Sequence, residues 1–302
     1  MYSSNDPRAS LPTSTAVRSD EPIAALETYE LLTLPPAEVS ERGSRTWFVR
    51  GQNFVLAFTR AVAGDPLRRS QQHEYVIVAP QDGQTVAVEH ASGGGTLRDS
   101  GVAIVPGGDS TVTLDVDADV VRLFDVRSAD LLPLCHNADS YAEPHPRVAP
   151  IEPWPDPVDG PRVRVYRNAD HPVEQGRFGR IFRSSAFMVN FGDPKDGPRN
   201  TDRMSPHHHD DFEQCSLTVA GDYVHHVRTP WTSKLSQWRD DEHAEVASPA
   251  VAIIPPPAVH TSQATGEGRH QLIDIFSPPR ADFSAKPGWV LNADEYPAPA
   301  HV

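Results

Sequence analysis

A repeated pattern constrains the fold of this chain more than any other feature. The segment Val-Ala-Ile-Val-Pro at residues 102–106 returns as Val-Ala-Ile-Ile-Pro at residues 251–255. The Leu-Phe pair at 123–124 matches Ile-Phe at 275–276, and in both places an Ala-Asp dipeptide begins five residues after the Phe. The offsets of 149 and 152 residues are close to half of the 302-residue chain. An internal duplication that gives two units of one architecture is the simplest explanation.

Short apolar runs between turn residues predict β-strands in both halves. In the first half they lie at 46–50, 54–62, 74–78, 85–89, 102–105, 111–115 and 120–124. In the second half they lie at 163–166, 180–183, 186–191, 215–219, 223–228, 250–254 and 271–276. Thirty prolines and nineteen glycines favour loop-rich β structure over helices. The sequence therefore predicts an all-β protein whose halves close into barrels or sandwiches.

The composition also suggests where the units begin and end. Residues 1–25 are polar and are expected to form a disordered tail. Residues 26–130 hold the first predicted barrel and residues 161–302 the second. Eight prolines between residues 131 and 161 predict a stiff, extended linker between them.

Charge and cysteine content limit the expected partners. A net charge of −14 argues against nucleic acid or an anionic membrane as a partner, because both need clustered Lys and Arg. Only two cysteines occur, so no disulfide framework is predicted and a reduced, cytoplasmic setting is expected. The amino terminus has no apolar stretch of the kind found in a secretory signal. A small-molecule substrate is the expected partner.

The residues best suited to chemistry lie in the second half, within the segment Ser-Pro-His-His-His-Asp-Asp-Phe-Glu-Gln-Cys-Ser-Leu at 205–217. His207 and His209 are two residues apart, so on an extended strand both side chains leave from one face. His260 follows the second copy of the repeated segment. His260, together with Glu213 or Gln214, can complete with the two earlier histidines a set of nitrogen and oxygen ligands around one divalent metal ion.

This arrangement resembles the two-part signature of the cupins, H-x-H-x(3,4)-E-x(6)-G followed by P-x-G-x-x-H-x-x-x-N. His207, His209 and His260 occupy the three histidine positions. Gln214 gives a gap of four and the regular six residues before Gly221, whereas Glu213 gives a gap of three and seven residues. The resemblance therefore favours Gln214 as the fourth ligand and keeps Glu213 as the alternative.

The second motif departs from the family pattern at two positions that are not ligands. Pro257 stands where the family has Gly, and Ala264 stands where it has Asn. The resemblance covers residues of roughly 45–130 and 160–285, and it implies two tandem, jelly-roll-like antiparallel β-barrels, as in a bicupin.

The first half lacks this ligand set. Its corresponding positions fall on or near Arg68, Ser70 and Thr111. The first barrel is therefore expected to be free of metal and to serve as a structural unit or a dimerisation surface, with a homodimer as one expected assembly.

His225 and Arg228, on the predicted strand that follows Gly221, are candidates for a direct part in catalysis. Tyr223, His225 and Val227 share one strand face, which the apolar pair marks as the inner one, so His225 is a candidate acid–base group beside the metal. Arg228 is a candidate clamp for an anionic substrate through its planar guanidinium.

Three functions remain open at this point. Three neutral imidazoles with a neutral Gln would leave Fe, Zn, Ni or Mn its full charge and favour an anionic oxygen ligand. The leading hypothesis is a metal-dependent isomerase or lyase acting on a small carboxylate or sugar acid, similar to uronate-processing cupins. The alternatives are a non-haem Fe(II) dioxygenase, favoured if Glu213 is the ligand, and a non-catalytic protein that binds a small ligand.

Overall fold

The regular secondary structure of the described residues consists mainly of antiparallel β-strands, as the sequence predicts. The computed structural model describes residues 21–173, 179–300 and 302, so most of the expected amino-terminal tail lies outside the described residues. The strands of the first half are β1 (Glu27–Glu30), β2 (Glu38–Val39), β3 (Arg45–Arg50), β4 (Phe54–Ala61), β5 (Leu67–Gln71), β6 (Tyr75–Ala79), β7 (Thr85–His90), β8 (Gly95–Arg98), β9 (Gly101–Val105), β10 (Gly108–Leu114) and β11 (Ala118–Asp125). Those of the second half are β12 (Arg164–Arg167), β13 (Arg180–Arg183), β14 (Met188–Phe191), β15 (Lys195–Asp196), β16 (Gln214–Ala220), β17 (Asp222–Arg228), β18 (Glu242–Ala247), β19 (Ala250–Ile254), β20 (Val259–Thr265) and β21 (Arg269–Phe276).

Each half pairs a large sheet with a small one. In the first, a seven-stranded sheet has the order β12-β9-β6-β11-β4-β3-β2 and faces a sheet of order β5-β10-β7-β8. In the second, a large sheet has the order β1-β19-β16-β21-β14-β13, with β15 also paired to β21, and the small sheet has the order β18-β17-β20. The one α-helix among the described residues is α1 (Ala281–Ser284). No helix in the described part of the chain is long and apolar enough to cross a membrane.

The two halves exchange one strand each. Strand β1 precedes the first barrel in sequence but pairs with β19 of the second barrel, with Glu27 opposite Ile253. Strand β12 follows the linker but pairs with β9 of the first barrel, with Arg164 opposite Ile104. The sequence-based ranges 26–130 and 161–302 therefore do not describe which strands build which sheet. Pairing between distant segments is a tertiary effect, and local patterns do not reveal it.

The large sheets pack against each other through a common apolar core. Side chains on alternate positions of β4, β6, β9 and β11 join those of β14, β16, β19 and β21 in a single buried cluster. Trp47, Leu56 and Leu123 come from the first barrel, and Leu217 and Ile275 come from the second. Strands of both large sheets are therefore buried on two faces, which explains why their sequences are apolar at nearly every position.

The interiors of the two barrels differ in chemistry. The first is filled by one continuous apolar cluster of nineteen buried side chains. The second contains three small apolar clusters, with buried histidine, amide and hydroxyl side chains elsewhere on its inner faces. An interior of this polar kind requires hydrogen-bond partners or a ligand.

The linker contains short folded turns and packs on both barrels, beginning with a bridge between Cys135 and Phe48 of the first barrel. It forms 3-10 turns at Leu132–Leu134 and Ala138–Tyr141. The backbone N–H of Ala149 donates to the carbonyl of Asp211 at 2.7 Å, and that of Trp154 donates to Ser185 at 2.6 Å. The linker is therefore an ordered connection that follows the surfaces of both barrels.

Candidate metal centre

Three buried imidazoles converge inside the second barrel. The backbones of His207 and His260 exchange both hydrogen bonds of an antiparallel bridge, at 3.0 and 2.7 Å. This pairing places the two rings side by side, with centroids 4.4 Å apart. His209 projects from the same face as His207, and its ring centroid lies 5.1 Å from each of the other two. One nitrogen from each ring lies within 4.8 Å of the others.

Backbone carbonyls orient two of the three rings. The Nδ1 atom of His207 lies 2.9 Å from the carbonyl oxygen of Ser205, and that of His260 lies 2.9 Å from the carbonyl oxygen of Ala258. A carbonyl can only accept, so Nδ1 must carry the proton in both rings. The Nε2 atoms consequently offer lone pairs, which is the form in which imidazole ligates a metal.

Gln214 supplies an oxygen to the same centre. Its Oε1 lies 2.9 Å from Nε2 of His209 and 3.3 Å from Nε2 of His260. Its amide nitrogen donates to the hydroxyl of Ser216 at 2.9 Å and to Oδ1 of Asp274 at 3.1 Å. A carboxylate accepts and does not donate, so Asp274 fixes the amide with its oxygen towards the histidines.

The donor set fits a divalent transition metal. The lone pair of His260 faces the amide oxygen of Gln214, and two acceptors at this distance repel unless a cation lies between them. Burial, followed by the nearby Arg280 and the other two imidazoles, holds the pKa of His209 well below its ordinary value. The ring of His209 is therefore neutral and ready to bind a metal at neutral pH. Three nitrogens with one oxygen suit Zn, Fe, Ni or Mn.

Glu213 points away from the centre. Its two carboxylate oxygens accept hydrogen bonds of 2.7 Å from the hydroxyl of Tyr141 and from the backbone N–H of Gln52. Burial raises the pKa of Glu213 to about 7. Because neighbouring strand residues face opposite sides, Gln214 faces the barrel interior and Glu213 faces the first barrel and the linker. Gln214, and not Glu213, therefore lies with the histidines.

A counterpart in the first barrel supports this interpretation. Glu74 precedes β6 as Glu213 precedes β16, and it accepts hydrogen bonds from the hydroxyl of Tyr296 at 2.8 Å and from the backbone N–H of Ser185 at 2.9 Å. The same pattern of Glu, tyrosine hydroxyl and backbone N–H thus occurs in the barrel that lacks the imidazoles. The role common to the two Glu residues is to connect the halves.

The two candidate catalytic residues lie on opposite faces of β17. His225 is buried; its Nδ1 lies 2.9 Å from the hydroxyl of Ser262, and its Nε2 has no hydrogen-bond partner among the described residues. Burial lowers the pKa of His225 to about 4. Arg228 is instead exposed and forms an ion pair with Asp241 at 2.5 Å. The structure does not bring Arg228 to the centre, because it alternates with Val227 onto the outer face.

The glycine of the signature is required by a close approach. Gly221 has a φ of +77°, and a Cβ atom there would lie 2.3 Å from the ring of His270 and 2.7 Å from the carbonyl oxygen of Arg269. A larger residue would both strain the backbone and displace β21. The turn between β16 and β17, and with it the alignment of the ligand strand, therefore depends on this glycine.

A cavity of about 1040 Å³ opens onto the centre. His207, Gln214 and His260 line it, together with the polar side chains of Asn190, Arg199, Tyr223, His270 and Asp274. The guanidinium of Arg199 donates to the carbonyl of Ser262 at 2.7 Å and to the hydroxyl of Ser205 at 2.9 Å, which ties the ligand segment to β20. The sequence analysis missed Ser216 and Asp274, although alternation from Gln214 and Phe276 places both on the inner face.

The corresponding positions in the first barrel hold other residues. The sequence comparison pointed to Arg68, Ser70 and Thr111, but burial and strand pairing show that these face outward or lie at the surface. Arg69 and Ser110 form the inward pair instead. The sequence placed these positions on or near the three residues, and the inward pair consists of their immediate neighbours, because a shift of one residue turns a side chain to the opposite face.

Comparisons with known proteins agree on the fold. No family model matches the chain, and no curated protein matches it in sequence. An oxalate decarboxylase of Lactobacillus farciminis in complex with formate has a TM-score of 0.53 at 11% identity, with 97% of this chain and 96% of that chain covered. AerE of Microcystis aeruginosa has a TM-score of 0.51 at 8% identity, with 86% of this chain and all of that chain covered. A point mutant of the oxalate decarboxylase OxdC of Bacillus subtilis has a TM-score of 0.50 at 10% identity, with 92% of this chain and 80% of that chain covered. These likenesses show that the chain has the cupin β-barrel fold.

Proposed function

We propose that the protein is a metal-dependent enzyme that acts on a small carboxylate in the cavity of the second barrel. The observation that carries the proposal is the convergence of three imidazoles and an amide oxygen at that cavity. His207, His209, Gln214 and His260 would hold the metal. A divalent ion held by four neutral ligands keeps its charge and supplies Lewis-acid stabilisation to an anionic oxygen of the substrate.

The residues around the centre provide the remaining functions. Ser205 and Ala258 keep the two imidazole rings in the ligating tautomer through their carbonyl oxygens. Asp274 keeps the amide oxygen of Gln214 turned inward. The side chain oxygen of Asn190 and Nδ1 of His270 are buried at the cavity and have no hydrogen-bond partner among the described residues. They can bind the polar groups of a small oxygenated substrate.

His225 is the proposed proton acceptor. It lies on the inner face of β17 opposite Ser262, which is two residues from His260. With a pKa of about 4 the ring is neutral at pH 7, so Nε2 can accept a proton from an acidic carbon or hydroxyl group. The ring is fixed on its other side by the hydroxyl of Ser262. Isomerisation or lyase chemistry through an enolate needs such a base, and the shared face of His225 and Ser262 with His260 is the observation that supports this role.

The ligand set favours this chemistry over a dioxygenase. A carboxylate ligand would cancel part of the metal charge and favour Fe(II) with dioxygen, but Glu213 is directed to Tyr141 and Gln52. Oxalate is one reasonable first substrate to test, since proteins of the same fold include oxalate decarboxylases. A protein that binds a small ligand without turnover is the remaining alternative.

The experiment combines metal analysis with a substrate screen. Elemental analysis of the purified protein is expected to find one equivalent of Fe, Zn, Ni or Mn per chain in the wild type and in His226→Ala, a control on the outer face of β17. His260→Ala is expected to lose the metal and to remain folded. Metal-loaded protein is then incubated with oxalate and other small carboxylic and sugar acids while product and dissolved oxygen are followed. Turnover that consumes oxygen would support the dioxygenase instead, and the absence of turnover with every acid would support the binding protein.

A further inference from the structure

A second cavity, of about 420 Å³, lies at the first barrel. Strands β2, β3, β5 and β11 contribute its walls. Arg68, Arg69 and Arg122 line the cavity together with the apolar side chains of Phe48 and Phe124. The acidic side chain in its wall is Glu38, whose residue is exposed. The cavity therefore combines guanidinium groups with apolar surface, and it is separate from the metal centre.

Arg122 is a buried cation without a close anionic partner among the described residues. It lies on β11 between Val121 and Leu123 and shares the inner face with Val120 and Phe124, which belong to the core of the barrel. Only 6% of the residue is exposed, and its Nε has no hydrogen-bond partner in the described part of the chain. Burial is the largest effect on Arg122 and lowers its pKa. A guanidinium in this position costs stability unless an anion accepts from it.

The neighbours of Arg122 that the structure describes do not provide such an anion. Glu38 and Tyr75 favour the charged form of Arg122 from a distance, whereas Arg69 opposes it. Arg69 is itself engaged, with Asp130 at 2.5 Å and with the side chain oxygen of Gln71 at 2.9 Å. Both guanidinium groups lie over the ring of Phe124, Arg69 at 5.2 Å and Arg122 at 5.8 Å from its centroid. The positive charges of Arg69 and Arg122 therefore lie close to the same ring, that of Phe124. A bound anion would stabilise both guanidinium groups.

The position of Arg122 in the repeat relates it to the metal centre. Arg122 directly precedes Leu123-Phe124, and Asp274 directly precedes Ile275-Phe276 in the second barrel. Asp274 orients the amide ligand Gln214. Tyr75 stands opposite Phe124 with stacked rings 5.1 Å apart, at the place where Gln214 pairs with Phe276. In the first barrel, the phenol of Tyr75 thus stands in the place of the amide ligand Gln214, and the guanidinium of Arg122 stands in the place of Asp274, which orients that ligand.

We infer that the first barrel binds a small organic carboxylate, with Arg122 as the group that pairs with the carboxylate. The guanidinium offers a planar fork that matches a carboxylate. Phe48, Phe124 and Leu131 would contact the hydrocarbon part of the ligand. The volume admits a small acid. This site does not depend on the metal centre or on the proposed reaction.

Calorimetric titration with sodium benzoate, in a low-chloride buffer and after metal removal by a chelator, tests the inference. The wild type is expected to bind one benzoate per chain. Arg122→Met is expected to weaken binding about 10- to 100-fold, because a hydrogen-bonded charge pair is lost. Arg98→Met, which removes an exposed arginine from β8, and His260→Ala are expected to bind as the wild type does. No benzoate binding, equal binding by Arg122→Met, loss of binding in His260→Ala, or binding of inorganic phosphate without benzoate would overturn the inference.

Thermal unfolding without added anion separates a binding role from a structural one. Arg122→Met is expected to unfold at the same temperature as the wild type or a higher one, because methionine removes an unpaired buried charge and fills a similar volume. Benzoate is expected to raise the midpoint of the wild type and to leave that of Arg122→Met unchanged. A midpoint of Arg122→Met clearly below that of the wild type in anion-free buffer would show that Arg122 stabilises the barrel by itself, and would overturn the inference.

Discussion

The hydroxyl of Tyr296 donates a hydrogen bond of 2.8 Å to the carboxylate of Glu74, across 222 residues of sequence. Its counterpart joins Tyr141 to Glu213 at 2.7 Å. In both pairs the carboxylate directly precedes an inner strand of one barrel, and the tyrosine lies in the segment that follows the other barrel in sequence. The two pairs occupy equivalent positions in the two repeats, and each pair connects one half to the other.

The Glu74 pair predicts a pH dependence of stability. Burial is the largest effect on Glu74 and raises its pKa above the ordinary value of 4.5. The folded state therefore holds the proton more tightly than the unfolded state. The stability that this proton contributes is full below pH 4.5 and is lost as the pH rises through the folded pKa. Glu74→Gln cannot titrate, so its free energy of unfolding should rise relative to that of the wild type as the pH increases from 4.5 through the raised folded pKa.

Urea unfolding at several pH values measures this difference. Glu267→Gln removes an exposed carboxylate and serves as the control, with a difference from the wild type that stays constant with pH. If the difference between Glu74→Gln and the wild type is also constant over this range, the proton linkage assigned to Glu74 is wrong.

Gln214 and the residue before it, Glu213, should respond differently to substitution. Gln214→Ala removes an oxygen from the centre and should weaken metal binding by more than about 100-fold, since loss of an outer-shell partner alone costs about 10- to 100-fold. Glu213→Gln keeps the side-chain volume and should bind metal as the wild type does. Competition with a chelator measures both affinities. Metal loss in Glu213→Gln with retention in Gln214→Ala would reverse the assignment.

Asp274 should act on the metal through Gln214. Asp274→Ala frees the amide nitrogen of Gln214 to turn towards the histidines, so metal affinity should fall about 10- to 100-fold. Asp274→Asn can still accept a hydrogen bond through its amide oxygen and should keep more affinity. Chelator competition again provides the measurement. Equal affinities in the wild type and Asp274→Ala would show that Asp274 has no orienting role.

The second half should not fold by itself. A fragment of residues 161–302 lacks β1, which pairs with β19, and it exposes the face of Leu217, Ile253 and Ile275. Each such side chain contributes about 1.5–3 kcal/mol when it is buried. The fragment should therefore aggregate or bind a hydrophobic dye, and co-expression with residues 1–160 should restore a soluble complex. A monomeric, cooperatively unfolding fragment would contradict this expectation.

Alternation and spacing explain which parts of the site the sequence could predict. The i, i+2 spacing places His207 and His209 on one face, and the six residues between Gln214 and Gly221 favour Gln214 over Glu213, as the geometry does. The same alternation excludes Arg228 once His225 is placed inside. These are local properties of single strands, and they follow from the residue numbers alone.

The remaining features depend on contacts between distant segments. The exchange of β1 and β12 leaves no local pattern, because any short strand can pair with either sheet edge. The sequence could place the inward residues of the first barrel only on or near Arg68, Ser70 and Thr111, since the offset between the repeats varies from 149 to 152 residues. The importance of Asp274 appears only when β16 and β21 lie side by side.

The common apolar core gives a reason why a barrel without the imidazoles persists. On β16, Gln214 lines the cavity and Ser216 bonds to Asp274, while Cys215 and Leu217 on the opposite face pack in the core shared with the partner barrel. The first barrel supplies the apolar surface that buries the side chains of Cys215 and Leu217 away from water. A gene that lost the segment encoding the first barrel would still encode all four proposed metal ligands. The strand β16 that carries Gln214 would nevertheless lack the surface on which it packs.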